Sequence, residues 1–99
     1  MNTLDETTIR TALEQNDPGW ELRDDTLHRT IETGDFATGL RLVDGIGAAA
    51  EEAGHHPDVL LTYPSVEITL TSHDAGGVTQ EDLALAAAVD RLVHAVVGG

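Results

Sequence analysis

Glu51-Glu52-Ala53-Gly54-His55-His56-Pro57 leads through Tyr63 to Val66-Glu67-Ile68-Thr69-Leu70-Thr71-Ser72-His73. The first part reads as the end of a helix. Gly54 is placed to stop it in the left-handed region, and Pro57 cannot continue it. The last part alternates with period two, so Val66, Ile68 and Leu70 face one way and Glu67, Thr69, Thr71 and His73 the other. A helix stop followed by a half-buried strand points to a fold that mixes α and β. Three of the five histidines fall in this stretch. Imidazole both gives and takes a proton near neutrality, so the concentration marks an acid–base site or a metal site.

Upstream, Phe36 to Ala53 carries helical spacing, with Phe36, Leu40, Val43, Ile46 and Ala50 as the predicted apolar stripe. Gly39, Gly45 and Gly47 interrupt it at roughly 1 kcal/mol each relative to Ala, a cost that makes sense where another backbone comes close. Further back, Trp20 to Arg23 and Leu27 to Glu32 alternate around Asp24-Asp25, which predicts a hairpin. Leu27, Arg29 and Ile31 share one face of its second strand. Asp5 to Gln15 reads as a first helix, stopped by Asn16-Asp17-Pro18-Gly19.

Downstream of Pro57, residues 59–63 and 66–73 pair around Tyr63-Pro64-Ser65, with Tyr63 read as core. After the Asp74-Ala75-Gly76-Gly77 turn, Thr79 reads as a helix cap, with Glu81 and Asp82 as acidic first-turn residues of a helix running to about Val97. Asp82 reads as structural. That helix is apolar on most of its circumference, so subunit contacts are expected there. The element order is helix, two strands, helix, two strands, helix, and 99 residues suit one domain.

Eighteen acidic residues stand against five arginines and no lysine, for a net charge of −13. Such a surface repels phosphate backbones, which argues against nucleic-acid binding and leaves a basic partner or a salt-rich cytoplasm. The second is favoured, because strong carboxylate hydration and screened self-repulsion make the charge tolerable there. Without cysteine, no disulfide or thiolate zinc site is available. Met1-Asn2-Thr3-Leu4-Asp5-Glu6 lacks the basic-then-apolar pattern of a signal peptide, and no apolar run is long enough for a bilayer, so a cytoplasmic location is expected.

The spacing of Glu51, His55-His56-Pro57, Tyr63, His73 and Asp82 resembles the signature of the pterin-4a-carbinolamine dehydratases. Gly19-Trp20, Asp35-Phe36 and Gly76-Gly77-Val78-Thr79 agree with it, and the resemblance runs from Leu13 to Val93. It implies an α+β fold with a four-stranded antiparallel sheet covered by helices on one face. It further implies homodimers or homotetramers, here expected to form through the C-terminal helix and a sheet edge. The implied activity is removal of water from 4a-hydroxytetrahydropterin to give quinonoid dihydropterin, with no metal and no redox cofactor. His55, His56 and His73 would carry the acid–base work with Glu51 in support, while His55 to Pro57 and Ser72 to Asp74 would contact the bicyclic ring. Val59 departs from the pattern, standing where many relatives carry an aromatic residue.

Glu51 precedes His55 by one helical turn, a spacing that would let it hold one tautomer of that ring. Two rival readings remain open. Zinc on His55, His56, His73 and a carboxylate is disfavoured, since adjacent histidines rarely converge on one ion without a turn. A role as dimerisation partner or assembly helper, known in the same family, is compatible with the residues. Taken alone, His55 and His56 would also suit a helix C-terminus, where cations are favoured, and His28 and His94 read as surface. The charge reading is checked by thermal denaturation in rising salt: the midpoint should climb with added salt, and an unchanged or falling midpoint refutes it.

Overall fold

The computed structural model describes residues 2–98. Helix α1 (Glu6–Asn16) starts at Asp5, whose carboxylate accepts from the Thr8 N–H at 2.7 Å. That bond satisfies a donor the helix start leaves unpaired, and it holds the Asp5 carboxyl below its ordinary range. Asp17 closes the helix, and Pro18 bars its continuation. Strands β1 (Glu21–Arg23) and β2 (Thr26–Glu32) then form the predicted hairpin. Asp24 and Asp25 join them with φ of 48° and 64°, the two left-handed residues that a tight hairpin turn requires.

Helix α2 (Phe36–Ala53) is capped by Asp35 through the Thr38 N–H and ends at Gly54, with φ 64° as its position predicted. Strands β3 (Asp58–Leu61) and β4 (Ser65–Leu70) and helix α3 (Gln80–Val96) complete the order. The sheet runs β1-β2-β4-β3, antiparallel throughout, in agreement with the expected α+β architecture. Both later strands are shorter than predicted. After β4, Ser72 bridges to Gly77 and bends the chain, so His73 stands in a turn rather than on the strand. After β3, the Thr62 N–H bonds to the Ser65 carbonyl and closes the connection early.

The register pairs Leu27 with Leu70 and Ile31 with Val66, and puts Ile68 between Arg29 and Val59. The inward row of β2 and β4 meets Leu42 and Ile46 of α2 and Ala86 and Val89 of α3 in one core, where Leu27, Leu42, Val66, Leu70, Ala86 and Val89 expose no surface. Burial at roughly 25 cal/mol per Å² of apolar surface makes this contact the main stabilising term.

Three expectations about packing are corrected. The buried stripe of α2 is Gly39, Leu42, Ile46 and Ala50, whereas Phe36 and Leu40 are 48% and 53% exposed. Two apolar stripes share this helix, and close approach to the sheet selects the one that contains Gly39. A Cβ there would lie 2.7 Å from Leu61 Cδ1. What crowds Gly39 and Gly45 is the side chains of Leu61 and Leu92 rather than a neighbouring backbone, and Gly47 faces open space. Tyr63, read as core, is 69% exposed because it sits on the turn between β3 and β4.

The apolar circumference of α3 is largely absorbed within the chain, with Leu83, Leu85, Ala86, Val89 and Val93 buried. Among the described residues, the large apolar side chains left exposed are Phe36, Leu40, Leu60 and Tyr63, on α2 and around β3. Leu42→Ala separates the two stripes of α2. It should cost about 2–5 kcal/mol in chemical denaturation, whereas the stripe read from sequence omits Leu42 and requires only a surface-like change.

Candidate functional site

The helix stop at Gly54 sets up the site. The Gly54 and His55 N–H groups bond back to the Glu51 and Ala50 carbonyls, so the last turn of α2 is closed before the chain leaves it. The left-handed residue reverses the path. His55 then lies under the start of α3 with its side chain 11% exposed, while the side chain of His56 stays 64% exposed.

The ring of His55 is fixed by Asp82, Nε2 lying 2.5 Å from Oδ1. Asp82 is completely buried. Its other oxygen, Oδ2, accepts from the Thr79 N–H at 2.9 Å and from Ser72 Oγ at 2.8 Å. Thr79 in turn caps α3 through the Glu81 N–H and lies 2.8 Å from Ser72 Oγ. The acidic first turn of α3, read from sequence as structural, is therefore both a helix cap and the anchor of a histidine. Glu81 adds a second carboxylate 3.5 Å from His55 Nδ1.

Glu51 does not hold His55. Its Oε2 lies 2.5 Å from Nε2 of His56. Spacing of one turn aligns two side chains only while the helix persists, and the reversal at Gly54 moves His55 inward and brings His56 over the helix end. Both members of this pair are well exposed, so its contribution to stability is about 0–1 kcal/mol.

His73 reaches the same place from the turn after β4. A hollow of about 480 Å³ is walled by His55, His56 and His73, with Thr71, Ser72, Asp74, Ala75, Gly54 and Glu81 completing it. This lies within the roughly 300–1,000 Å³ typical of small-ligand sites. Among the described residues His73 is in none of the side-chain hydrogen bonds or ion pairs that tie the other two rings. Pro57 lies outside this hollow. It precedes β3 and lines an adjoining one with Val43, Glu51, His56 and Val59. Sequence reasoning passed over Glu81 as a wall residue. Its only signal was its place beside Asp82 in an acidic first turn.

His28 lies on the outer sheet face between Thr26 and Thr69, and His94 is exposed near the end of α3. Among the described residues no group of three or more histidine or carboxylate side chains is arranged to hold a metal ion. No helix among them is long and apolar enough to cross a membrane.

An antiparallel sheet thus has helices on one side and a histidine-walled hollow at the helix ends. The family model described as pterin 4 alpha carbinolamine dehydratase matches residues 2–92. A relative from Chloroflexus aurantiacus, provisionally named a pterin-4-alpha-carbinolamine dehydratase, is 41% identical over 93 residues, covering 94% of this chain and 99% of its own. The chain belongs to the pterin-4-alpha-carbinolamine dehydratase family.

Among solved structures, a protein from Brucella melitensis described as a transcriptional coactivator/pterin dehydratase superposes with a TM-score of 0.85. It is 30% identical, over 92% of this chain and 98% of that one. A pterin dehydratase-like protein identified as a RuBisCO assembly factor in the alpha-carboxysome matches with a TM-score of 0.61 at 27% identity, over 74% of this chain and 84% of its own.

Removing the anchor tests the site's construction. Asp82→Ala leaves Ser72 Oγ, the Thr79 N–H and His55 Nε2 without their acceptor, and it should cost about 3–5 kcal/mol in urea denaturation. Asp82→Asn keeps an acceptor at lower cost. Its ring ¹⁵N resonances should show His55 alone among the histidines released from a short hydrogen bond.

Proposed function

We propose that this protein is a hydro-lyase that removes water from a 4a-hydroxytetrahydropterin to give the quinonoid dihydropterin, using histidine acid–base chemistry. The observation that carries the reading is the meeting of His55, His56 and His73 around one hollow of ligand size. In this reaction the C4a–O bond breaks, the departing oxygen takes up a proton, and a ring nitrogen gives one up. The lone pair of the adjacent nitrogen drives the bond apart, so a positioned acid and a positioned base suffice.

The surroundings of the rings distinguish their parts. His55 is backed by a buried carboxylate on Nε2, which compensates the charge of an imidazolium and presents Nδ1, beside Glu81, to the hollow. It is suited to deliver the proton that leaves with the hydroxyl. His73 carries no such partner among the described residues and is suited to accept the ring proton. His56, tethered to Glu51 at the mouth, holds the edge of the heterocycle, with Ser72 and Asp74 alongside. Glu51 thus supports the site through His56 rather than through His55.

The protein is further proposed to act in the cytoplasm as a homo-oligomer. The free edge of β3 with Leu60 and Tyr63, the groove along the C-terminal helix lined by Ala84, Ala88, Leu92 and Ala95, and the outward stripe of α2 with Phe36 and Leu40 are surfaces suited to a second copy. A net charge of −13 is unsuited to direct contact with nucleic acid. The same apolar surfaces favour a second reading, a non-catalytic partner in assembly; one structural neighbour is described as a RuBisCO assembly factor.

Turnover of synthetic 4a-hydroxytetrahydropterin, followed by absorbance of the quinonoid product, separates the two. His55→Ala and His73→Ala should each slow dehydration about 100- to 10,000-fold, with unchanged circular dichroism. Dehydration no faster than the uncatalysed rate in the unaltered protein, or full activity in both variants, refutes the enzymatic reading.

A further inference from the structure

A groove of about 740 Å³ runs between α2 and α3. Its α3 wall carries Glu81, Ala84, Ala88, Arg91 and Ala95, spaced three, four, three and four apart. That is the spacing of a seam along which two helices pack. All of these side chains but the half-buried Ala88 are exposed. The seam is small in the middle and charged toward its ends, with Arg91 about 15 Å along the axis from Glu81. The other four arginines have partners within the chain: Arg10 has Glu6, Arg23 has Glu21, Arg29 has Asp90 and Arg41 has Thr38. Among the described residues Arg91 takes part in no side-chain hydrogen bond or ion pair of this kind.

The groove adjoins the histidine hollow, because His55 and Glu81 line both. Glu81 Oε2 lies 3.5 Å from His55 Nδ1, and its side chain is 49% exposed. It is held on one side by the ring and open on the other.

We infer that two copies pack antiparallel through this seam, α3 on α3, and that Arg91 of each copy pairs with Glu81 of the other beside His55. In the register that sets Ala84 level with Ala88 of the second copy, Glu81 falls level with Arg91, and the two-fold axis repeats both contacts. An isologous contact uses one patch twice, so the patch must complement itself. Read in reverse, this seam exchanges acid for base and keeps its alanines in the middle, which selects a second copy over a foreign helix. The alanines let the helix axes come close. Two copies of charge −13 repel one another, and a contact that sets opposite charges face to face is where that repulsion is offset.

Assembly then completes the site. Arg91 of the second copy fixes Glu81 on its open side, so the wall of the hollow next to His55 is set only in the pair. The inference rests on the homo-oligomer proposed above and gives it a geometry, but it needs no turnover to be tested.

Charge exchange tests the seam. Arg91→Glu and Glu81→Arg should each weaken association about tenfold or more in sedimentation, halving the mass of the assembly. The double variant, with the charges exchanged, should restore it. In Arg91→Glu the ring ¹⁵N resonances of His55 should move and those of His28 should not. Arg91 is too far from His55 along its own helix to act on it, so that change has to come from the second copy. The chain has no cysteine, so oxidising a mixture of Ala84→Cys and Ala88→Cys proteins should give the mixed disulfide in excess over either homodimer. A wild type that sediments as a single chain overturns both the seam and the homo-oligomer. An assembly that Arg91→Glu leaves intact, a double variant as dissociated as the single ones, or no excess of mixed disulfide overturns the seam alone. If a charge variant does not fold, the disulfide decides.

Discussion

One buried carboxylate, that of Asp82, joins three separate pieces of chain. It accepts from the Thr79 backbone at the start of α3, from the Ser72 side chain after β4, and from the His55 ring after α2. Each donor would otherwise be left short of a partner in a poorly hydrated place, which costs more than a made bond contributes. A charged acceptor also makes each of these bonds stronger than its neutral counterpart. The hollow is thus the place where an over-determined polar junction leaves room beside it, with His73 set opposite by the Ser72–Gly77 turn.

The sequence showed the elements better than it showed the faces they bury. Alternation in Val66–Leu70, the left-handed stop at Gly54 and the Thr79–Asp82 cap were legible because each is a local constraint, carried by a period, a glycine or a capping side chain. The buried side of α2 was not. Phe36 and Leu40 match a helical stripe as well as Leu42 does, and only the approach of Leu61 to Gly39 decides between them. The partner of Glu51 was missed for a related reason, since helical spacing was carried one residue past the reversal. Asp82 was read as a structural first-turn residue because that role is local; its bond to His55 spans 27 positions and depends on the packing of α2 against α3.

Charge is distributed with the same economy. Only five arginines serve a chain with 18 acidic residues. Arg10 and Arg23 pair with Glu6 and Glu21 in solvent, where such contacts contribute little. Arg29 is spent inside, on the inward row of the central strand pair, and the carboxylate it meets is on the helix that also carries Asp82. A charged residue in an apolar register was visible in the sequence as an anomaly, yet nothing local pointed to Asp90. Both polar junctions of α3 fasten it to segments far away in the chain, one at its start and one about two turns along.

That double fastening bears on how the rings can differ in their work. His55 is almost enclosed and tied to a helix held at two levels, whereas His56 and Glu51 form a pair open to solvent at the end of α2. An enclosed ring backed by a buried carboxylate keeps one orientation and pays little reorganisation when charge develops near it. An exposed pair can shift with whatever binds. Adjacent in sequence and alike in chemistry, the two histidines are made unlike by one left-handed glycine, which turns the first toward the core of the site and leaves the second at its rim.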